Sequence, residues 1–62
     1  MTKEEIIHIR KSLRLTQEQF AALLGCAFTS VNRWEMGHAA PSRLYQKEIR
    51  ELFKNMTVTK LI

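Results

Sequence analysis

The sequence predicts an all-α fold of four or five short helices, and three observations predict it. Two S/T-x-x-E/Q capping boxes, Thr2 with Glu5 and Thr16 with Gln19, mark helix starts. Apolar residues recur three and four positions apart, as in Ile6, Ile9 and Leu13, or Phe20 and Leu24. Gly25, Gly37 and Pro41 fall between these periodic segments, where a helix must stop or the chain must turn.

The first helix is expected from Thr2 to about Leu13. Glu4 and Glu5 suit its positive N-terminal end, and Lys11 and Arg14 its negative C-terminal end. Ile6, Ile9 and Leu13 form the apolar stripe, with Arg10 on or beside the buried side. The link Arg14-Leu15 is short, so the first two helices must meet at an angle.

The second helix is expected from about Gln17 to Leu24, with Phe20, Ala21 and Leu24 buried. A small residue at Ala21 lets a neighbouring helix approach closely, where a larger side chain would push the pair apart. Gly25-Cys26-Ala27 makes a tight turn, with Gly25 suited to a positive φ and Cys26 reading as a small buried hydrophobe. Ala27 departs from the pattern. It stands where Ser or Thr would cap the next helix, and Ala forgoes on the order of 1 kcal/mol there.

The third helix, about Phe28 to Met36, divides into two faces. Val31 and Trp34 form the apolar side, while Thr29, Asn32, Arg33 and Met36 fall opposite at 100° per residue. The outward side chains are types that read base edges: Asn suits adenine, Arg guanine, and Thr a thymine methyl. Glu35 lies beside the buried side, as Arg10 does on the first helix. Two helices joined by a tight turn, the second with such a face, form a helix-turn-helix expected to enter a DNA groove.

Gly37 ends the third helix and His38-Ala39-Ala40 is a loop. Ser42 is expected to cap a fourth helix ending near Lys54-Asn55, with Leu44, Tyr45, Ile49, Leu52 and Phe53 apolar and Arg43, Lys47, Arg50 and Lys54 outside. Residues 1–55 are thus read as one domain, and 56–62 as a short tail that is either disordered or a dimer contact. The tail has β-branched character, but is too short for a strand without a partner.

Composition narrows the function. Sixty-two residues make one small domain, which buries only about 60% of its unfolded surface. One cysteine excludes an internal disulfide, and no Cys/His spacing suits a metal. Nothing basic neighbours Cys26 to make it a redox sensor, so a plain buried thiol is expected. His8 and His38 read as surface residues. There is no nucleophile–base pair, carboxylate pair or phosphate loop, so an enzyme is not expected, and no cofactor. No apolar run approaches a membrane span, and MTKEEII is no signal peptide, so no membrane partner and a cytoplasmic location are expected. A net charge of +4 and a pI near 9.7 favour an anionic partner.

The stretch Thr16 to Pro41 resembles the helix-turn-helix family of lambdoid phage repressors, Cro proteins and Xre-type regulators. That family places apolar residues where this chain has Phe20, Leu24, Cys26, Val31 and Trp34, a small residue at Ala21 and a glycine at Gly25. The Arg33-Trp34-Glu35-x-Gly37 ending and Pro41-Ser42 resemble the Xre branch. The resemblance implies a lambda-repressor-like domain in which Phe28, Thr29, Asn32 and Arg33 contact bases and Gln17, Ser30 and Arg43 contact phosphates. It also implies a buried or half-buried salt bridge between Arg10 and Glu35. Many relatives have a fifth helix that completes the core, and at Phe28 polar or basic residues are common. Phe28 and Met36 stay open between contact and packing, whereas Trp34 reads as core.

The expected function is sequence-specific binding of double-stranded DNA by a transcriptional regulator, a repressor acting as a homodimer. The alternative is a protein-interaction module, an antitoxin or coactivator-like subunit whose partner is a toxin or a polymerase subunit; Phe28, Met36 and Tyr45 would then be contacts. RNA or single strands are a weaker option, since no aromatic platform or Gly-rich motif is present.

Overall fold

Local signals set where each helix begins. Thr2 Oγ1 accepts from Glu5 N at 3.2 Å while Glu5 Oε1 accepts from Thr2 N at 3.2 Å. The same reciprocal pair joins Thr16 and Gln19, at 3.1 and 3.0 Å. Both capping boxes read from the sequence are therefore formed. The computed structural model describes residues 1–60, with side chains through Met56. Among the described residues there are four helices and no strand: α1 (Lys3–Ser12), α2 (Gln17–Leu24), α3 (Phe28–Met36) and α4 (Arg43–Lys60). None is long and apolar enough to cross a membrane.

Each of the first three helices ends on a residue with positive φ, followed by paired 5→2 and 6→1 hydrogen bonds that satisfy the last carbonyls. After α2, Gly25 N donates to Ala22 O and Cys26 N to Ala21 O; after α3, Gly37 N donates to Trp34 O and His38 N to Arg33 O. Gly25 has φ 74° and Gly37 φ 81°. After α1, Arg14 fills the same role with φ 59°. A left-handed conformation costs a residue with a Cβ about 1–2 kcal/mol, and nothing in the periodicity pointed to it.

Packing follows from the stripes. Ile6, Ile9 and Leu13 of α1 and its end, Phe20, Ala21 and Leu24 of α2, Val31 and Trp34 of α3 and Ile49 of α4 form one buried core. Full burial of side chains such as Phe20, Ile6, Ile49 and Val31 contributes roughly 1.5–3 kcal/mol each. α3 packs on α1 and α2, and α2 also on α4. Ala21 is buried, so the α2 backbone can approach its neighbours. The Trp34 and Tyr45 rings, centroids 5.5 Å apart and tilted by 52°, bring α3 and α4 together.

Cys26 is half-buried, packed on the rim of the core. It precedes the uncapped Ala27, with Val31 four residues into the helix, an apolar pair at the positions of a hydrophobic staple. Met1 before α1 and Leu15 before α2 occupy the equivalent place. This steers the chain into α3 although Ala27 makes no side-chain cap.

Two expectations for α4 are corrected. Leu44 is 64% exposed rather than buried. It lies about 140° around the helix from Ile49, at 100° per residue, whereas Tyr45, Leu52, Phe53 and Met56 share the Ile49 side and are half-buried. The helix also continues to Lys60, past the expected end near Lys54-Asn55, so the boundary drawn at residue 55 falls inside it. Met56 extends the apolar stripe, neither Gly nor Pro interrupts residues 55–60, and Thr and Val carry only a small helix penalty. The side chains of 57–62, and with them the choice between a disordered end and a dimer contact, lie outside the described residues.

Candidate nucleic-acid interface

The expected reader face belongs to α3, and what fixes α3 is on its other sides. Val31 and Trp34 anchor it in the core. Glu35, one residue on, ties it to α1: Arg10 Nε donates to Glu35 Oε2 at 2.6 Å and Arg10 Nη2 to Glu35 Oε1 at 2.9 Å. This two-pronged fork restrains both position and angle, which a single contact would not. Arg10 Nη1 also donates to Leu15 O at 2.9 Å, so the same guanidinium holds the link between α1 and α2. The side chains of Arg10 and Glu35 are 14% and 6% exposed.

Burial by itself would push the Glu35 carboxyl up, but hydrogen bonds from Arg10 and Gln17, together with the Arg10 charge, outweigh it. The group sits below the ordinary carboxylate value and is ionised at neutral pH. Among the described residues no buried side-chain nitrogen or oxygen lacks a partner.

Gln17 is where the arrangement departs from a simple phosphate contact. Its Nε2 donates to Glu35 Oε1 at 3.0 Å, so the side chain is part of the internal network. One amide hydrogen of Gln17 and the backbone N–H groups of Gln17 and Glu18 are left for an anion, since Gln19 N already donates to Thr16 Oγ1. The sequence signal was present, a Gln at the first helical position, but nothing in its spacing to Glu35 shows that the two meet.

On α3, Phe28, Thr29 and Arg33 are exposed, and Phe28 retains 41% of its surface. Asn32 and Ser30 are half-buried, so they offer only part of their side chains to a ligand. Met36 is 59% exposed at the end of the helix. Arg43 is exposed at the first position of α4, after Ser42, whose Oγ accepts from Tyr45 N at 3.4 Å. Thr29 and Arg33 lie four residues apart, and Asn32 next to Arg33, so the polar side chains form a short stripe rather than a pocket. Such a stripe on a helix held by its back and sides can enter a groove as a rigid ridge.

Cys26 takes no part in this face. Burial pushes its thiol up, and the Glu48 carboxylate adds to the rise, which keeps it protonated and unreactive at neutral pH.

The protein-family model described as Helix-turn-helix matches residues 6–54, from the first buried residue of α1 to within α4. No curated protein and no solved structure matches the chain.

Proposed function

Because the chain belongs to the helix-turn-helix family of Xre and lambda-repressor-like proteins, a DNA-binding family and not an enzyme family, we propose that it reads double-stranded DNA in a sequence-specific way as a transcriptional repressor. α3 lies in the major groove. Thr29, Arg33 and the exposed part of Asn32 face base edges, and Phe28 meets a thymine methyl or a sugar. Gln17, Ser30 and Arg43 take phosphates on either side. The observation that carries this reading is the division of α3: Val31 and Trp34 are buried while Thr29 and Arg33 are exposed, on a helix clamped through Glu35. One domain spans a half-site, so the chain acts as a dimer on half-sites about 34 Å apart.

Selection of bound duplexes from a random pool tests the proposal, run in parallel with the wild-type chain, Arg33→Ala and Gln17→Ala. The wild type enriches a defined sequence. Arg33→Ala loses preference at one base pair, by about 1–3 kcal/mol, while Gln17→Ala weakens binding to all duplexes and leaves the preferred sequence unchanged. An unaltered preference in Arg33→Ala removes Arg33 from the reader. No enrichment by the wild type rejects the DNA reading and favours a protein partner for the exposed Phe28 and Met36.

A further inference from the structure

The end of α1 holds a residue whose conformation its own side chain opposes. Arg14 has φ 59°, and among the described residues it is the one non-glycine with positive φ. The two equivalent positions, after α2 and after α3, are glycines. All three close their helices with the same pair of backbone bonds; here Arg14 N donates to Lys11 O at 3.0 Å and Leu15 N to Arg10 O at 3.2 Å. Glycine would serve the backbone better. Attraction between the Arg14 charge and the C-terminal end of α1 offsets only part of the strain.

The guanidinium obtains nothing further from the protein. Arg14 is exposed, and among the described residues its side chain makes no hydrogen bond or ion pair. Strain that the fold does not require points to a role outside the fold. Position indicates which role. Arg14 lies two residues before Thr16, the N-cap of α2, and three before Gln17. The link that carries it is fixed on both sides, by the backbone bonds to Lys11 and Arg10 and by the Arg10 guanidinium on Leu15 O. A cation on a rigid support beside the phosphate-facing end of α2 suits a phosphodiester oxygen, the anion that an arginine fork binds well.

We infer that Arg14 is a further phosphate-contacting residue, kept at the end of α1 for its charge toward the DNA backbone at the expense of the glycine that the turn favours. The inference rests on the DNA-binding reading and adds a contact that this reading does not contain.

Three variants of the full chain separate charge from backbone: Arg14→Gly, Arg14→Gln, and Lys54→Gln as a matched loss of charge on the exposed side of α4. Affinity for one duplex is measured from low to moderate salt, with the thermal midpoint of each protein. Arg14→Gly melts about 5 °C above wild type, yet binds roughly tenfold more weakly at low salt, with a slope of log affinity against log salt reduced by about one. Arg14→Gln shows the same loss of affinity and slope without the gain in melting temperature. Lys54→Gln keeps the wild-type slope. A residue kept only for the end of α1 would alter stability and leave the salt slope untouched, so wild-type affinity and slope in Arg14→Gly overturn the inference. An equal fall of slope in Lys54→Gln overturns it as well, since the effect would then be one of net charge. If the wild-type chain binds no duplex, the DNA-binding reading fails and this inference goes with it; binding by wild type and Arg14→Gly alike defeats the inference alone.

Discussion

At the scale of single residues, Glu35 has the most to lose. Its carboxylate accepts from Arg10 twice and from Gln17 once, and these bonds hold it ionised against its burial. Its folded value lies below the unfolded one, so the stabilisation is fully present above the ordinary carboxylate range and is lost as pH falls through the folded value. Stability should therefore decline on the acid side. Glu35→Gln should cost about 2–3 kcal/mol at neutral pH, somewhat less than for a fully buried pair, and should flatten that decline. Denaturant titrations of both proteins between neutral and acidic pH check this; parallel pH profiles would show that Glu35 is not responsible. A smaller acid dependence remains in the variant, because Thr2 hydrogen bonds also lower the exposed Glu5 carboxyl. The charges of Arg10 and Glu35 beside the apolar stripes were legible in the sequence. The bond from Gln17 was not, since it depends on how α2 meets α3.

At the scale of the helix, α3 is the element with a defect. Ala27 leaves it without a side-chain cap, while Thr2 and Thr16 cap α1 and α2 and Ser42 serves α4. The flanking apolar positions Cys26 and Val31 guide the chain but satisfy no backbone donor. Ala27→Ser supplies an acceptor at a position whose backbone, φ −75° and ψ 148°, already has N-cap geometry. It should raise stability by about 1 kcal/mol, seen as a thermal midpoint some 4–8 °C higher; an unchanged midpoint would mean that the first-turn donors are already well solvated. α4 shows the complementary limit of sequence reading. Its stripe was visible through Tyr45, Ile49, Leu52 and Phe53. Leu44 is apolar yet lies off that stripe and faces outward, and the helix runs on through β-branched residues to Lys60 because no Gly or Pro stops it.

At the scale of the molecule, a core drawn from all four helices carries a single α3, which under the proposed function is half of what a two-fold DNA site requires. The continuation of α4 beyond Met56 is where a second copy would be met under the dimer proposal. Met56 itself packs on the core, so the informative truncation keeps it and removes residues 57–62. The shortened chain should hold its affinity for an isolated half-site and lose about tenfold or more on a two-half-site duplex, the gain that a coupled second contact provides. Sedimentation with and without DNA reports the same loss of pairing. Unchanged affinity and sedimentation would place the dimer contact elsewhere, with exposed Leu44 the next position to examine.

The sequence by itself determined the helical class, the starts and stops of the first three helices and the two faces of α3. Those features depend on neighbours within about four positions: capping boxes, a glycine in the left-handed turn, and apolar spacing at the helical period. Tertiary structure alone decided which polar groups meet. It drew Gln17 into the Arg10–Glu35 fork, half-buried Asn32 and set Arg14 in a conformation that glycine would favour. These outcomes depend on the angles at which whole helices cross and on where the chain must turn to allow those crossings, and no local pattern of residues encodes either.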